Sequence, residues 1–230
     1  MSNVITIGDC HCPCMLSNYP DWLVSIADKY KCDRTVMIGD LVDLHCLSMH
    51  PKRIEFLSAE DEFEKAQIQV DMLVDRFPRA DWLIGNHDAL PMRHMEAANV
   101  PQALMAKPGK IWKTKKWRVH PRYADILIDN VIYRHGDKGK GGSGLAAVSN
   151  ALNEYKSLVQ GHHHAQAGVS YITNSSGVRL FGAQTGCGLD ISHPYMNYAA
   201  RYARKPTLGC VVVVEKGKVA IFEPFPESLI

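Results

Sequence analysis

No stretch of this 230-residue sequence approaches the roughly 18 consecutive apolar residues that a membrane-spanning helix needs. The opening residues Met-Ser-Asn-Val-Ile-Thr lack the basic region and the long apolar core of a secretory signal. Internal repeats, and a linker long enough to separate two domains, are missing as well. We therefore expect a cytoplasmic protein without membrane contact, folded as one domain over residues 1–230.

A strong excess of one charge is also missing. The 26 Lys and Arg residues nearly balance the 24 Asp and Glu residues, which gives a net charge of +2. This charge is too small to indicate a nucleic-acid-binding protein by itself. The hydrophobic fraction of 46% and the charged fraction of 22% are ordinary for a globular protein and do not indicate a disordered chain.

The cysteine pattern does not indicate a disulfide scaffold. Seven cysteines are an odd number, and the chain is long and has no secretion signal. Cys10, Cys12 and Cys14 alternate around His11, but a separate zinc site would need a fourth ligand, and no matching spacing follows. The pattern favours free thiols in a reducing compartment.

The sequence does contain clusters of carboxylate, amide and imidazole side chains. In chain order they are Asp9-Cys10-His11, Gly39-Asp40-Leu41-Val42-Asp43, Gly85-Asn86-His87-Asp88, His135-Gly136 and Gly161-His162-His163-His164. The first and the last carry ligands two residues apart, directly after an apolar run. Asp40 can bridge two cations, and Asn86 offers an oxygen without adding charge. This mixture of oxygen and nitrogen donors indicates a site for two metal ions.

Read together, these clusters resemble the calcineurin-like metallophosphoesterases, over residues 9–164. The shared pattern is Asp-x-His, Gly-Asp-x-x-Asp, Gly-Asn-His-Asp, a single His and Gly-His-x-His, in that order. The resemblance implies two divalent metal ions. It assigns Asp9, His11, Asp40 and His164 to the first ion, and Asp40, Asn86, His135 and His162 to the second. These donors suit manganese, iron, zinc and nickel, and manganese is the metal we expect first.

The same resemblance implies that His87 faces the substrate and is not a ligand. His87 would stabilise the transition state or protonate the leaving oxygen, with Asp43 orienting its ring. His163 stands at the variable position of Gly-His-x-His, where it is expected to face either solvent or the substrate cleft. The implied reaction is hydrolysis of a phosphoester by attack of a metal-bound hydroxide.

The substrate is less well defined by the motifs. Family members that act on phosphoproteins usually continue Gly-Asp-x-Val-Asp with Arg-Gly, where this chain has Leu44-His45. We therefore expect a relative of the short bacterial and phage enzymes, not a protein Ser/Thr phosphatase. A phosphodiesterase or nuclease is the first hypothesis, and a small-molecule phosphomonoesterase is the second. A non-catalytic metal-binding interaction module is a third, which the presence of every ligand and of His87 disfavours.

Alternation of strands and helices predicts an α/β fold with ligands beyond the carboxyl ends of the strands. Strands are predicted at 3–8, 34–39, 81–84, 125–128, 131–133 and 157–160, and helices from 20, at 58–77, within 89–105 and at 145–155. Beyond His164, the pairs 167–173 with 178–181 and 209–214 with 219–222 are expected to complete a second sheet. The family resemblance implies two packed mixed β-sheets flanked by helices, in four α/β/β/α layers.

A basic insertion at residues 107–122 stands apart from its surroundings. Seven Lys and Arg residues are interleaved there with Trp112 and Trp117. Such a stretch suits a surface that holds phosphates and stacks bases, with nucleic acid as a partner. A solvated loop or edge strand with its aromatic rings in the core gives the same sequence, and we favour it slightly.

Other segments offer weaker indications of substrate or partner contact. The candidate substrate contacts are Arg93, His94, Lys138 and Lys140, each of which could instead be an ordinary surface residue. The irregular segment 184–205 could wall the cleft or form the contact of a homodimer.

Overall fold

Two β-sheets pack face to face, as the family resemblance implies. The computed structural model describes residues 2–49, 57–138, 146–195 and 203–229. The strands are β1 (Val4–Ile7), β2 (Arg34–Met37), β3 (Asp81–Leu83), β4 (Arg118–His120), β5 (Ile126–Ile128), β6 (Val131–Arg134), β7 (Ser157–Gln160), β8 (Ala167–Thr173), β9 (Arg179–Thr185), β10 (Gly209–Val214) and β11 (Val219–Pro224). The first sheet has the order β11-β10-β1-β2-β3-β4, and the second has the order β5-β6-β7-β9-β8.

Helices cover the outer face of each sheet. They are α1 (Tyr19–Lys29), α2 (Ala59–Arg76), α3 (Leu90–Ala97), α4 (Pro108–Ile111) and α5 (Ala146–Glu154), with short 3₁₀ turns at His45–Leu47, Gln102–Leu104 and Glu227–Leu229. Leu23 of α1 and Val70 of α2 belong to the same buried cluster as Ile5 of β1. Ala147 of α5 packs against Leu158 of β7. The predicted layering of helix, sheet, sheet and helix is therefore confirmed.

The core between the sheets is built from strands of both. Val36 and Leu83 of the first sheet cluster with Tyr133, Val159 and Phe181 of the second, and all five are almost fully buried. These strands are short runs of apolar residues, as expected for parallel strands covered on both faces.

Local signals place several elements where the sequence predicts them. The Ser58 hydroxyl accepts a hydrogen bond from the Asp61 amide at 3.1 Å, which caps the first turn of α2. That helix ends at Arg76, two residues before Pro78. Strands β8 and β9 pair antiparallel with Thr173 opposite Arg179, so the predicted hairpin is confirmed.

One prediction about the sheets is wrong. The last two strands do not complete the second sheet, since β10 pairs antiparallel with β1 through Ile5 and Val212. The physical reason is that β10 is apolar on both faces. Cys210 and Val212 face the core under the helices, while Val211 and Val213 face the core between the sheets. Such a strand is stable inside a sheet that is covered on both sides.

The parallel strands point their carboxyl ends toward one edge of the two sheets. β1, β2 and β3 are parallel to one another in the first sheet. β6, β7 and β9 are parallel in the second. No helix in the described ranges is both long and apolar enough to cross a membrane.

Candidate metal centre

Loops at the carboxyl ends of the parallel strands deliver the predicted ligands to one place. Asp9 and Asp40 follow β1 and β2, and Asn86 follows β3. His135 and His162 follow β6 and β7 of the other sheet. Because the carboxyl ends of parallel strands meet at one edge, ligands that are distant in the chain become neighbours in space.

The backbone at these ligands is unusual. Asp9, His11, Asp40 and His162 have φ values of 52°, 47°, 49° and 72°, in the left-handed region. Residues other than glycine enter this region at a cost, and such residues cluster at functional sites. The bends turn the chain sharply after each strand, and they bring the side chains back over the strand ends.

Two motif glycines permit the close approach of the carboxylates. A Cβ atom at Gly85 would collide with Oδ1 and the backbone nitrogen of Asp40. A Cβ atom at Gly161 would lie 2.6 Å from Oδ2 of Asp9. Neither position therefore accepts a side chain while the ligands keep these places.

The first group of candidate ligands consists of Asp9, His11 and His164, whose ligand atoms lie within 4.8 Å of one another. Nε2 of His164 is 3.3 Å from Oδ1 of Asp9 and 3.1 Å from Nε2 of His11. The amide of His162 donates to both carboxylate oxygens of Asp9, at 3.0 and 2.9 Å, and fixes its orientation. Asp9 and His11 are fully buried, so they are shielded from competing water.

A second group consists of Asp40, His135 and His162. Nε2 of His135 is 3.3 Å from Oδ2 of Asp40 and 3.0 Å from the side-chain oxygen of Asn86. Oδ2 of Asp40 also lies 3.7 Å from Nε2 of His11 in the first group. Asp40 therefore stands between the two groups, in the position that a bridging ligand would occupy.

The donor set fits cations. Nδ1 of His11 is 2.8 Å from Oδ1 of Asp43, and Nδ1 of His135 is 3.0 Å from the carbonyl oxygen of Ile38. When each Nδ1 donates its hydrogen, Nε2 presents a lone pair. These lone pairs face carboxylate and amide oxygens. Electron-rich atoms at such distances repel one another unless a proton or a metal cation lies among them, and neutral rings with these oxygens are a donor set that fits divalent metal ions.

Asp43 contacts a predicted ligand as well as His87. Its carboxylate is closest to His11, at 2.8 Å, and lies 3.3 Å from Nδ1 of His87. The nearer partner of His87 is the backbone carbonyl of Asp43, at 2.7 Å. The predicted orientation of the His87 ring by Asp43 thus runs mainly through the backbone, while the carboxylate orients His11.

His87 lies beside both groups. Its ring centroid is 4.6 Å from that of His11, and the two rings meet edge to face. Burial alone would lower the pKa of His87, but the carboxylates of Asp40 and Asp43 raise that pKa above its ordinary value. His87, His11 and Asp40 also form a third group whose atoms could hold a metal ion. The substrate-facing role of His87 remains a prediction.

Asp88 belongs to a predicted motif, but the sequence analysis gave it no role, and the structure shows that it joins two loops of the site. Its carboxylate accepts hydrogen bonds from the amides of Val42 and Gly85, at 3.1 and 2.9 Å, and so joins the loops after β2 and β3. Burial and the charge of Asp40 raise the pKa of Asp88 to about 7. The position of Asp88 at the end of the Gly-Asn-His-Asp motif was the sequence signal that could have indicated this role.

A cavity of about 300 Å³ opens over the predicted ligands. His87 and His163 line it, so His163 faces the cleft, one of its two predicted alternatives. Gln166, Arg204 and Pro206 also line it, and the sequence analysis did not name them. Arg204 lies within the irregular segment 184–205, one interpretation of which was a wall of the cleft.

The weaker substrate candidates are not among the described residues that line this cavity. Arg93 is exposed on α3. Nε2 of His94 is 2.8 Å from the carbonyl oxygen of Leu47, and Nζ of Lys138 is 4.0 Å from Asp125. Lys140 lies outside the described residues. A substrate role for these four remains a prediction.

The basic insertion has its aromatic rings in the core. Trp112 and Trp117 are buried, and the indole nitrogen of Trp117 donates to the carbonyl oxygen of Phe77 at 2.8 Å. Lys116 and Arg118 lie at the amino ends of the strands, opposite the candidate metal centre. Of the two interpretations, the edge strand with buried aromatic rings describes what the structure shows.

The cysteines are free thiols, as predicted. Burial raises the pKa values of Cys10, Cys12 and Cys14 well above the ordinary range, which keeps them protonated. Within the described ranges, the groups that could hold a metal ion include no cysteine.

Comparison with known proteins identifies one family. A sequence model described as calcineurin-like phosphoesterase matches residues 2–189. A search of curated proteins finds no match.

Solved structures with a similar fold have low sequence identity. A metallophosphoesterase from Sphaerobacter thermophilus is 15% identical, with coverage of 99% of this chain and 96% of that chain and a TM-score of 0.47. Vacuolar protein sorting 29 from Cryptosporidium parvum is 14% identical, with coverage of 98% of each chain and a TM-score of 0.45. The nuclease MPE of Pseudomonas putida is 10% identical, with coverage of 96% and 87% and a TM-score of 0.35.

Proposed function

The chain belongs to the calcineurin-like phosphoesterase family, and we propose that it is a two-metal hydrolase whose substrate is a phosphodiester. The observation that carries the proposal is the position of Asp40. One oxygen of this carboxylate lies 3.3 Å from His135 and 3.7 Å from His11, between two groups of candidate ligands. Paired metal sites that share an anionic ligand are the usual arrangement for displacement at phosphorus.

The ligand assignment follows the two groups. Asp9, His11, Asp40 and His164 would hold one cation, and Asp40, Asn86, His135 and His162 would hold the other. When bound, the cations supply Lewis-acid polarisation of a phosphoryl oxygen and an acidified water. Manganese is the first metal to test, because hard carboxylate and amide oxygens complement the imidazoles.

His87 supplies the proton transfer in this proposal. Since Nδ1 is bonded to the Asp43 carbonyl, Nε2 is the nitrogen that remains for the substrate. A protonated ring at this position can donate a hydrogen to the leaving alcohol oxygen, which avoids the release of an unstable alkoxide. The carboxylate of Asp43, 3.3 Å from Nδ1, favours the protonated ring.

Beyond the two cations, which would bind either ester, the charge of the residues that line the cleft favours a diester over a monoester. Among the described residues that line the cavity, Arg204 is the single Lys or Arg. A phosphodiester carries one negative charge, whereas a phosphomonoester carries about −1.5 to −2 at neutral pH. Polymeric nucleic acid is not required, because the rings of Trp112 and Trp117 are buried and cannot stack on bases.

The test is hydrolysis of bis-p-nitrophenyl phosphate and p-nitrophenyl phosphate by metal-stripped protein with added manganese. The wild-type protein should cleave the diester faster than the monoester. His87→Ala should retain its metal content and lose about 10²–10⁴-fold in turnover, the usual contribution of a general acid. His120→Ala removes an imidazole outside the cleft and should keep full activity.

Two results would count against the proposal. If neither ester is cleaved by protein that holds two metal ions, the non-catalytic interaction module becomes the better hypothesis. If the monoester is cleaved faster, the phosphomonoesterase hypothesis replaces the diesterase.

A further inference from the structure

A second cavity adjoins the candidate metal centre. Its volume is about 390 Å³, within the range of about 300–1,000 Å³ that is usual for ligand pockets. The first turn of α5 and the facing parts of β8 and β9 line it. It shares Ala165, Gln166 and Arg204 with the cavity over the predicted ligands. One ligand could therefore occupy both cavities.

Arg204 lies where the two cavities meet, and the fold fixes its segment there. The amide of Thr207, three residues on, donates to the carbonyl oxygen of His164 at 2.7 Å. The carbonyl oxygen of Thr207 accepts from the amide of Cys187 at 3.0 Å. These bonds tie the segment to the loop that carries a predicted metal ligand. In the described part of the chain, no acidic side chain pairs with Arg204, so its guanidinium is available to an anion.

The lining of the second cavity combines polar and apolar groups. Ser170 and Thr207 offer hydroxyl groups, and Gln166 offers an amide at the junction. Ala147 and Val148 of α5 and Gly182 of β9 also line it, and none of them carries a large side chain. A nucleoside presents sugar hydroxyls and the polar edges of its base, so this lining suits it better than it suits an acyl chain.

We propose that the second cavity binds a nucleoside-sized group on the phosphodiester, while Arg204 binds the phosphoryl oxygens at the junction. This inference rests on the proposed function and adds the substrate class. In the reaction, the oxygen of water bonds to phosphorus and the bond to the leaving alcohol breaks. The alcohol leaves with a proton, and the product is a monoester whose nucleoside remains in the second cavity.

Binding of the product tests the proposal without turnover. The probes are thymidine 5′-monophosphate and inorganic phosphate, titrated by calorimetry into the manganese-loaded His87→Ala chain. The nucleotide should bind at least about 10-fold more tightly than phosphate, which corresponds to about 1.4 kcal/mol. Ser170→Trp fills the second cavity without touching the first, so it should remove this advantage and leave phosphate binding unchanged.

Matched variants separate the cavity from general effects. Ser176→Trp adds the same ring at the exposed turn of the same hairpin, and it should retain the preference for the nucleotide. Arg204→Ala should weaken both probes by about 10–100-fold, because each loses a charge-assisted hydrogen bond. Arg204→Lys should restore part of this loss.

Equal affinity of the His87→Ala chain for the two probes would overturn the proposal. So would an equal loss of both probes on Ser170→Trp. Failure of the proposed function has a different signature, because a chain that hydrolyses no ester would still prefer the nucleotide if the cavity binds it.

Discussion

The two ends of the parallel strands in the first sheet carry similar residues, but the carboxylates at the two ends have different partners. At the amino ends, Asp81 accepts hydrogen bonds from Arg34 at 2.9 Å and from His120 at 2.8 Å. At the carboxyl ends, the outer oxygen of Asp40 faces Nε2 of His11 and of His135. In these rings, Nδ1 of His11 is hydrogen-bonded to Asp43, and Nδ1 of His135 is hydrogen-bonded to the Ile38 carbonyl oxygen.

The difference teaches how to distinguish structural from functional charge in this fold. The carboxylate of Asp81 is paired with hydrogen donors and needs nothing from outside the chain. One oxygen of Asp40 accepts a hydrogen bond from the His87 amide at 2.8 Å. Its other oxygen faces Nε2 of His11 and of His135, whose lone pairs a cation would complement when both rings are neutral. Asp81 and Asp40 are both buried, at 8% and 1% relative exposure, so their hydrogen-bond partners distinguish them better than burial does.

Asp40→Asn should have the largest effect on the site at the carboxyl ends of the strands. The change removes the charge between the two ligand groups, so both metal ions should be lost and hydrolysis should fall below detection. Metal content by mass spectrometry and diester turnover measure the two effects. Asp81→Asn is the matched change at the amino ends, and it should retain both metal ions. Retention of two metal ions by Asp40→Asn would show that Asp40 is not the bridging ligand.

Asp43→Asn should have a smaller effect that separates its two contacts. Loss of the carboxylate weakens the orientation of His11, and partners of metal ligands typically contribute about 10–100-fold to metal affinity. We expect manganese affinity to fall by this amount, with much of the turnover recovered at saturating metal. Glu62→Gln changes a buried carboxylate that binds the His45 amide instead of an imidazole, and should leave metal affinity unchanged.

The opposite pattern for Asp43→Asn has a clear meaning. Unchanged metal affinity with a large loss of turnover would show that Asp43 acts through His87, as the sequence analysis predicts. Titration of manganese into the chelator-treated chain, followed by turnover at each concentration, distinguishes the two outcomes.

Local patterns were sufficient to predict much of the fold and the gathering of the candidate ligands. The clusters around Asp9, Asp40, Asn86 and His162 follow strands, and the ends of parallel strands converge by topology. The cap at Ser58 is likewise a local signal with a local effect. That these side chains bind metal stays a prediction, because their closeness in space does not by itself demonstrate a bound ion.

Features set by distant contacts could not be predicted. Arg204 reaches the cleft because Thr207 bonds to the His164 carbonyl, which no local pattern encodes. The place of β10 in the first sheet depends on which partner covers its two apolar faces. Trp112 and Trp117 are interleaved with lysines in the sequence, yet their rings turn into the core while the lysines stay in solvent. A sequence that alternates basic and aromatic residues therefore does not reveal whether its aromatic rings face the core or the solvent.

The smallest predicted effect concerns the amino ends, where Asp81→Asn should lower stability in a pH-dependent way. Burial alone would raise the pKa of Asp81, but hydrogen bonds from His120 and Arg34 outweigh burial and hold this pKa below its ordinary value. A carboxyl whose pKa is lowered by folding stabilises the fold above its unfolded pKa, and this contribution is lost as pH falls through its folded pKa. In urea unfolding of the metal-free protein, the free energy of unfolding of Asp81→Asn should be about 1–2 kcal/mol below that of the wild type at pH 7. This difference should shrink below about pH 4. Asp28→Asn changes an exposed carboxylate on α1 and should show no such deficit. A deficit that stays constant down to pH 3 would mean that Asp81 stabilises the strand ends by shape and not by charge.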